Sequence, residues 1–106
     1  MSLGPRFISV EKIFYVYLLT NADRGVFYIG LTTDLPLRIF EHRNGLLPGF
    51  TKRYNLVRLV WYEAFGESGL AFAHEKRLKR WRREWKIALV EKDNPHWLDL
   101  YDRLNG

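Results

Sequence analysis

Two short apolar runs, Ile13 to Leu19 and Val26 to Leu31, separated by Asn21-Ala22-Asp23-Arg24-Gly25, constrain the fold more than any other feature of the chain. Both runs are β-branched and aromatic on both faces, which is the composition of interior strands, and the segment between them is turn chemistry. A four-residue loop closing at Thr20 and Gly25 makes an antiparallel hairpin, with Gly25 supplying a positive φ. In that register Tyr17 stands directly opposite Tyr28, with Cβ atoms about 5 Å apart, so two phenols share one sheet face. Paired aromatics also stabilise hairpins without any chemistry. Gly30, two residues past Tyr28 on the same face, leaves room for a ligand or another backbone.

Residues 1–11 are polar and irregular, so a flexible amino-terminal segment is expected there and one domain over 12–106. Asp34 can cap a helix with Pro36 in its first turn; Leu37 to Arg43 is helix-compatible, and Asn44-Gly45 is a stop signal. Leu46 to Tyr54, with Pro48 and Gly49, reads as a loop, and Leu56 to Phe65 as a third strand ended by Gly66-Glu67-Ser68-Gly69. From Leu70 to Leu89 the period is helical. Asn94-Pro95 then reads as a cap and first-turn proline, opening a short last helix that holds Trp97, Leu98 and Tyr101. No apolar run approaches the length of about 20 residues that a membrane span needs, and no signal-peptide start is present, which points to a cytoplasmic protein. The chain has no cysteine, so disulfides, thiolate metal sites and thiol nucleophiles are excluded, and any metal would have oxygen or imidazole ligands.

The net charge of +5 resides in one block: Glu75 to Lys86 holds seven of the 17 basic residues and only two of the 12 acidic ones. Such a block is an ordinary solvated helix face or, with Trp81 and Trp85 interleaved, a phosphate-binding surface. Nucleic acid is therefore the leading partner class, ahead of an anionic membrane. Projection of Leu70 to Leu89 at about 100° per residue gathers Leu70, Ala71, Leu78, Trp81, Trp85, Ala88 and Leu89 on one stripe. Lys76, Arg77, Lys79, Arg80, Arg82, Arg83 and Lys86 cover the remainder. Glu75 falls at the border, facing a bound polyanion or simply pairing with Lys79, and His74 inside the stripe reads as a satisfied buried histidine. Arg38 and His42, four apart, project from one face of the first helix.

Together these residues resemble the GIY-YIG nuclease superfamily, especially its small standalone bacterial members and the amino-terminal catalytic domain of the excinuclease. The likeness runs from Phe14 to Leu89. It rests on Tyr15-Val16-Tyr17, an intact Tyr28-Ile29-Gly30, Arg38 ten residues past Tyr28, His42, Thr51-Lys52-Arg53-Tyr54, Leu59 to Phe65, and Glu75-Lys76-Arg77-Leu78-Lys79, in matching order and spacing. The resemblance implies an α+β fold, a three-stranded antiparallel sheet flanked by helices, with a single-metal phosphodiesterase site. It makes Tyr17 and Tyr28 the motif tyrosines, Arg38 the motif arginine, His42 an assisting histidine and Glu75 the ligand of one Mg²⁺ or Mn²⁺. For that chemistry the hairpin, the first helix and the basic helix are expected to share one sheet face. DNA is the implied substrate, with RNA open, in repair or recombination, and Lys52, Lys76, Lys79, Arg80, Arg83 and Lys86 are the expected nucleic-acid contacts. The chain departs from the pattern at Tyr15, where the family name has glycine. It departs again at Ile87, where many members carry asparagine, and at Leu31, where excinuclease-type domains carry a lysine that Lys52 would replace. Two rival readings stand beside the enzyme: a nucleic-acid-binding module that keeps the fold without cutting, and a domain acting through a protein partner, which requires Trp97 and Tyr101 to be exposed.

Overall fold

A computed structural model describes residues 12–105, so the expected flexible segment at 1–11 lies outside the described residues. The elements follow as β1 (Phe14–Thr20), β2 (Phe27–Thr32), α1 (Leu35–Arg43), α2 (Phe50–Arg53), β3 (Arg58–Phe65), α3 (Ser68–Arg80) and α4 (Arg83–Asp93), with a closing 3₁₀ segment at Tyr101–Asn105. The sheet is antiparallel in the order β2-β1-β3, which makes the expected three-stranded sheet flanked by helices and leaves β2 on an edge.

Alternation along β1 splits the interior into two clusters. Val16 and Leu18 point to one face, where Ile29, Val60, Ala71, Leu78, Val90 and Trp97 pack. Tyr17 and Leu19 point to the other, among Leu35, Ile39, Leu56, Leu59 and Leu100. Helices α3 and α4 therefore cover the first face and α1 the second. Each leucine buried in these layers contributes about 1.5 to 3 kcal/mol, so both faces hold the sheet between them.

The hairpin differs from the expected register by two residues. Tyr17 pairs with Gly30 and Tyr28 with Leu19, closing at Thr20 and Phe27. The loop takes in Val26 because Asn21 organises it: its Oδ1 accepts from Val26 N at 3.1 Å, and Gly25 N donates to Ala22 O at 2.9 Å. Arg24, not Gly25, takes the positive φ, at 53°. A shift of two preserves the faces, so both tyrosines still share one side.

The expected continuous helix from Leu70 to Leu89 is broken. Trp81 and Arg82 are both extended, with ψ of 150° and 152°, and separate α3 from α4. The projected stripe dissolves accordingly: Ala71 and Leu78 are buried, but Leu70 is 58% and Trp85 50% exposed. After the break α4 is held by Val90, Ile87 and Leu89 in the core and by Arg83, whose guanidinium lies 4.3 Å above the Phe27 ring and donates to the Arg24 and Gly25 carbonyls of the hairpin loop.

Two further segments differ from expectation. The loop over Leu46 to Tyr54 contains the single turn α2, with Gly49 at φ 109° entering it. Asn94 opens no helix; it ends α4, and its buried amide donates to Val60 O and Leu98 O while its oxygen accepts from Leu98 N. That turn folds Trp97 inward, stacked on Phe27 with centroids 5.7 Å apart and its indole donating to Glu91 at 2.8 Å. Trp97 is buried and Tyr101 half-buried beneath the Arg43 guanidinium, so the exposure that the partner-docking reading needs is absent.

Candidate functional site

The sequence of β1 and β2 decides where the site lies. Gly30 sits opposite Tyr17, and a Cβ built on it would fall 2.4 Å from both Cζ and the hydroxyl of Tyr17. The space glycine leaves is thus occupied by the Tyr17 ring itself, not by a ligand. With its ring laid across Gly30, Tyr17 is wholly buried and its hydroxyl stands 3.1 Å from His42 Nε2.

Helix α1 brings His42 to that point. Asp34 caps it, Oδ1 accepting from Leu37 N at 3.2 Å, and Leu35 and Ile39 anchor its inner face, which leaves Arg38 and His42 one turn apart beside the tyrosines. The Tyr28 ring on β2 closes the third side, with centroids 6.2 Å from Tyr17 and 5.7 Å from His42. On the far side of the imidazole, Nδ1 lies 3.0 Å from Thr51 Oγ1 on α2. Thr51, His42 and Tyr17 thus form one buried hydrogen-bonded line.

Thr51 is an addition to the residues expected at the site. The signal was present, since Thr51-Lys52-Arg53-Tyr54 is one of the family-like blocks, but a segment read as a loop gave no reason to turn its threonine inward.

The electrostatics follow from burial. Burial first, and then the neighbouring Tyr28 phenol, push the Tyr17 hydroxyl well above the ordinary tyrosine value, while Arg38 pulls the other way without prevailing. Burial, then the Arg38 charge, hold His42 below its ordinary 6.5, against a smaller opposing pull from Glu41. At neutral pH the line is therefore a neutral phenol beside a neutral imidazole. Arg38 is half-buried and its Nε pairs with Glu41 at 3.2 Å.

Glu75 is placed differently from the other four. It lies on α3, whose buried Ala71 and Leu78 pack against the Val16 and Leu18 face, whereas α1 covers the Tyr17 face. The expectation that the first helix and the basic helix share one sheet face is thus overturned, because β1 alternation sends its even and odd residues to opposite helices. The Glu75 side chain is 14% exposed and pairs with Lys79 at 3.0 Å. Edge strand β2 is the element both sides reach: α3 lies against it, and His42 of α1 meets its Tyr28. Among the described residues no group of three or more His, Asp or Glu gathers as a metal cage.

The basic block is also less free than its sequence implies. Arg83 is committed to the hairpin loop, Lys79 to Glu75, and half-buried Lys86 reaches Lys79 O at 3.4 Å. Burial, then Arg83, hold the Lys86 ammonium below its usual range. Lys76 and Arg80 are exposed on α3, and Lys52 is exposed on α2 beside Thr51. His74 is half-buried between Trp61 and Phe65, with Arg77 Nη1 3.0 Å from its Nδ1; its buried Nε2 makes no hydrogen bond and lies 3.6 Å from Glu63 Oε1, so the satisfied core histidine expected there is only half satisfied. Asn94, closing α4, is occupied structurally, and Ile87 packs against the core. No helix among the described residues is long and apolar enough to cross a membrane.

Comparison with known proteins agrees with this arrangement. The GIY-YIG catalytic domain matches residues 13–88. A UPF0213 protein of Haloquadratum walsbyi is 35% identical over 78 residues, 74% of this chain and 86% of the relative. UPF0213 proteins of Bacillus pumilus, 35% identical over 74% of this chain and 79% of theirs, and of Lacticaseibacillus paracasei, 33% identical over 81% and 96%, are similar too. No solved structure matches the chain. With the GIY-YIG catalytic domain matching residues 13–88 and small relatives similar over about three quarters of its length, the chain belongs to the GIY-YIG nuclease superfamily, beside the small UPF0213 proteins.

Proposed function

We propose that this chain is a divalent-metal-dependent endonuclease that hydrolyses phosphodiester bonds in DNA, acting in the cytoplasm in repair or recombination. The observation that carries the reading is the buried Thr51–His42–Tyr17 line with Tyr28 and Arg38 beside it.

Hydrolysis needs a deprotonated water and neutralisation of the charge that grows on the phosphorane. A lone phenol held far above neutrality is a poor base, so Tyr17 does not act alone. Tyr28, half-buried where Tyr17 is wholly buried, meets the attacking water. Tyr28 gives its own hydroxyl proton toward Tyr17 as it takes one from the water, and Tyr17 passes its own to His42 Nε2, so no free phenolate forms, while the departing sugar oxygen takes its proton from solvent water. Thr51 Oγ1 accepts from Nδ1–H and fixes the tautomer that leaves Nε2 open. The incoming phosphate offsets the Arg38 charge that otherwise opposes a protonated His42. Arg38 itself clamps a nonbridging oxygen through its planar donors.

Glu75 is the residue that would hold one Mg²⁺ or Mn²⁺. A single carboxylate is an acceptable protein ligand for such hard ions, which keep several waters, and α3, the helix that carries Glu75, lies against β2. Such an ion, when bound, supplies a lowered water pKa and positive charge at the phosphate. Because α1 and α3 cover opposite faces of the sheet, a phosphodiester held by both Arg38 and Glu75 would have to cross the β2 edge.

A non-catalytic nucleic-acid-binding module is the second reading, favoured by the Glu75–Lys79 pairing on the face away from Tyr17. Incubation with supercoiled plasmid, branched DNA and single strands, in Mg²⁺, Mn²⁺ or chelator, decides between them. Metal-dependent strand scission supports the enzyme, and binding without scission supports the module.

A further inference from the structure

Beside the Tyr17–His42 line stands a feature that hydrolysis does not use. Phe50 and Tyr54, four apart on α2 and its C-terminal cap, have ring centroids 4.7 Å apart, yet the residues are 48% and 42% exposed. Neither belongs to the two apolar clusters of the interior. Phe50 borders an open cleft of about 710 Å³ lined by Pro48, Gly49, Lys52 and Arg53 as well, so two cationic residues share the cleft with its ring. The turn is anchored at both ends: Thr51 is buried against His42, and the Tyr54 carbonyl accepts from the Asn21 amide at 3.4 Å. The aromatic pair is therefore held next in sequence to a residue of the proposed site.

We infer that the Phe50–Tyr54 turn is a stacking subsite for an unpaired base of the nucleic acid, adjoining the phosphate to be cut; for its ligand this rests on the nuclease reading. An exposed aromatic ring sharing a cleft with two cationic side chains matches the chemistry of a nucleotide, whose base stacks while its phosphates meet Lys52 and Arg53. Burying apolar surface alone would not call for the charges, and a phosphate contact alone would not call for the rings. A base inside a duplex is already stacked and hidden, so the turn favours single strands, flaps, gaps or bulges over continuous duplex.

The test is binding in chelator, where no cleavage contributes. Two oligodeoxynucleotide duplexes of equal length are compared, one carrying a single unpaired 2-aminopurine and the other fully paired. The wild-type chain quenches the unpaired fluorophore. Phe50→Ala and Tyr54→Ala lose the quenching and bind the unpaired site about 5- to 150-fold more weakly, the range for one stacked base, while duplex affinity stays within about twofold. Phe50→Trp retains both signals, which separates stacking from a folding role for the turn. Equal weakening on both duplexes, or no quenching by wild type, overturns the subsite. A chain that discriminates the unpaired base but never nicks plasmid keeps the subsite and loses the enzyme. A chain that binds neither duplex overturns both.

Discussion

Replacing Gly30 by alanine places a Cβ 2.4 Å from Cζ and the hydroxyl of Tyr17, a ring already fully buried and bonded to His42. The ring has to move, because no Cβ sits that close to another heavy atom. Overpacking of this kind costs about 1 to 3 kcal/mol, and alanine returns about 0.5 to 1 kcal/mol because glycine is unfavourable inside a strand. The net loss is about 1 to 2 kcal/mol, and at about 4 to 8 °C per kcal/mol for a domain near this size the melting temperature falls by about 5 to 15 °C. Displacing the ring also breaks the 3.1 Å contact to His42, so activity falls further than the folded fraction explains. The matched control is Gly66→Ala, where a Cβ meets nothing within 4 Å. Combining Gly30→Ala with Tyr17→Leu relieves the overlap, so the double variant loses less than the two singles together, by about 0.5 to 3 kcal/mol of coupling. A Gly30→Ala protein that melts with or above the wild type would refute the argument that Gly30 exists to seat Tyr17.

Four further outcomes follow from the same geometry. Because His42 is held below 6.5 in the fold, the unfolded chain binds more protons just below that pH; stability is fully present above 6.5 and declines as pH falls toward the folded value. Melting curves from about pH 7.5 to about pH 5 show this as a steeper decline in wild type than in His42→Gln, and parallel declines count against a neutral, buried His42. Arg83→Ala lowers stability by about 1 kcal/mol through loss of the loop carbonyl contacts and the Phe27 stack. Lys76→Glu with Arg80→Glu instead weakens binding on all sequences and flattens its salt dependence; a salt titration in which Arg83→Ala has the larger effect on affinity reverses this assignment. Glu75→Ala leaves binding intact or tighter and removes metal-dependent cutting, while the fold loses only about 0.3 to 0.5 kcal/mol with the Lys79 pair. Activity that falls only in step with the melting temperature makes Glu75 structural.

The parts of the fold legible in the sequence are those encoded by local chemistry. The strands announce themselves by β-branched and aromatic runs, and α1 by the Asp34 cap and Pro36; the choice of Tyr17, Tyr28, Arg38 and His42 comes from the family resemblance, and the structure puts the two tyrosine rings and the imidazole side by side with Arg38 near them. The hairpin register is not legible because a side chain sets it: Asn21 draws Val26 into the loop, which no count of turn residues reveals. The break at Trp81–Arg82 contains neither glycine nor proline, and a helical period continues unaltered across it. Arg83 bonding to carbonyls distant in sequence marks the break, and that is a tertiary fact. Asn94-Pro95 is ambiguous for a physical reason, since asparagine followed by proline suits a helix start and a helix stop alike, and the capture of Asn94 by Val60 O selects the stop. Projection of a single helix assigns Glu75 a face of that helix only; which helix covers which side of the sheet depends on the crossover after β3, and the period of α3 carries no trace of it.

The measurement that bears most directly on the account is plasmid nicking by the purified chain in Mg²⁺ or Mn²⁺ and in chelator, run beside Arg38→Ala and Tyr17→Phe. Each variant is checked by thermal melt and by binding in chelator. Wild type is expected to cut only with the metal, and both variants to lose scission while they remain folded and bound to DNA. No scission of plasmid, branched or single-stranded DNA by the wild type, or undiminished cutting by folded Arg38→Ala, would contradict this.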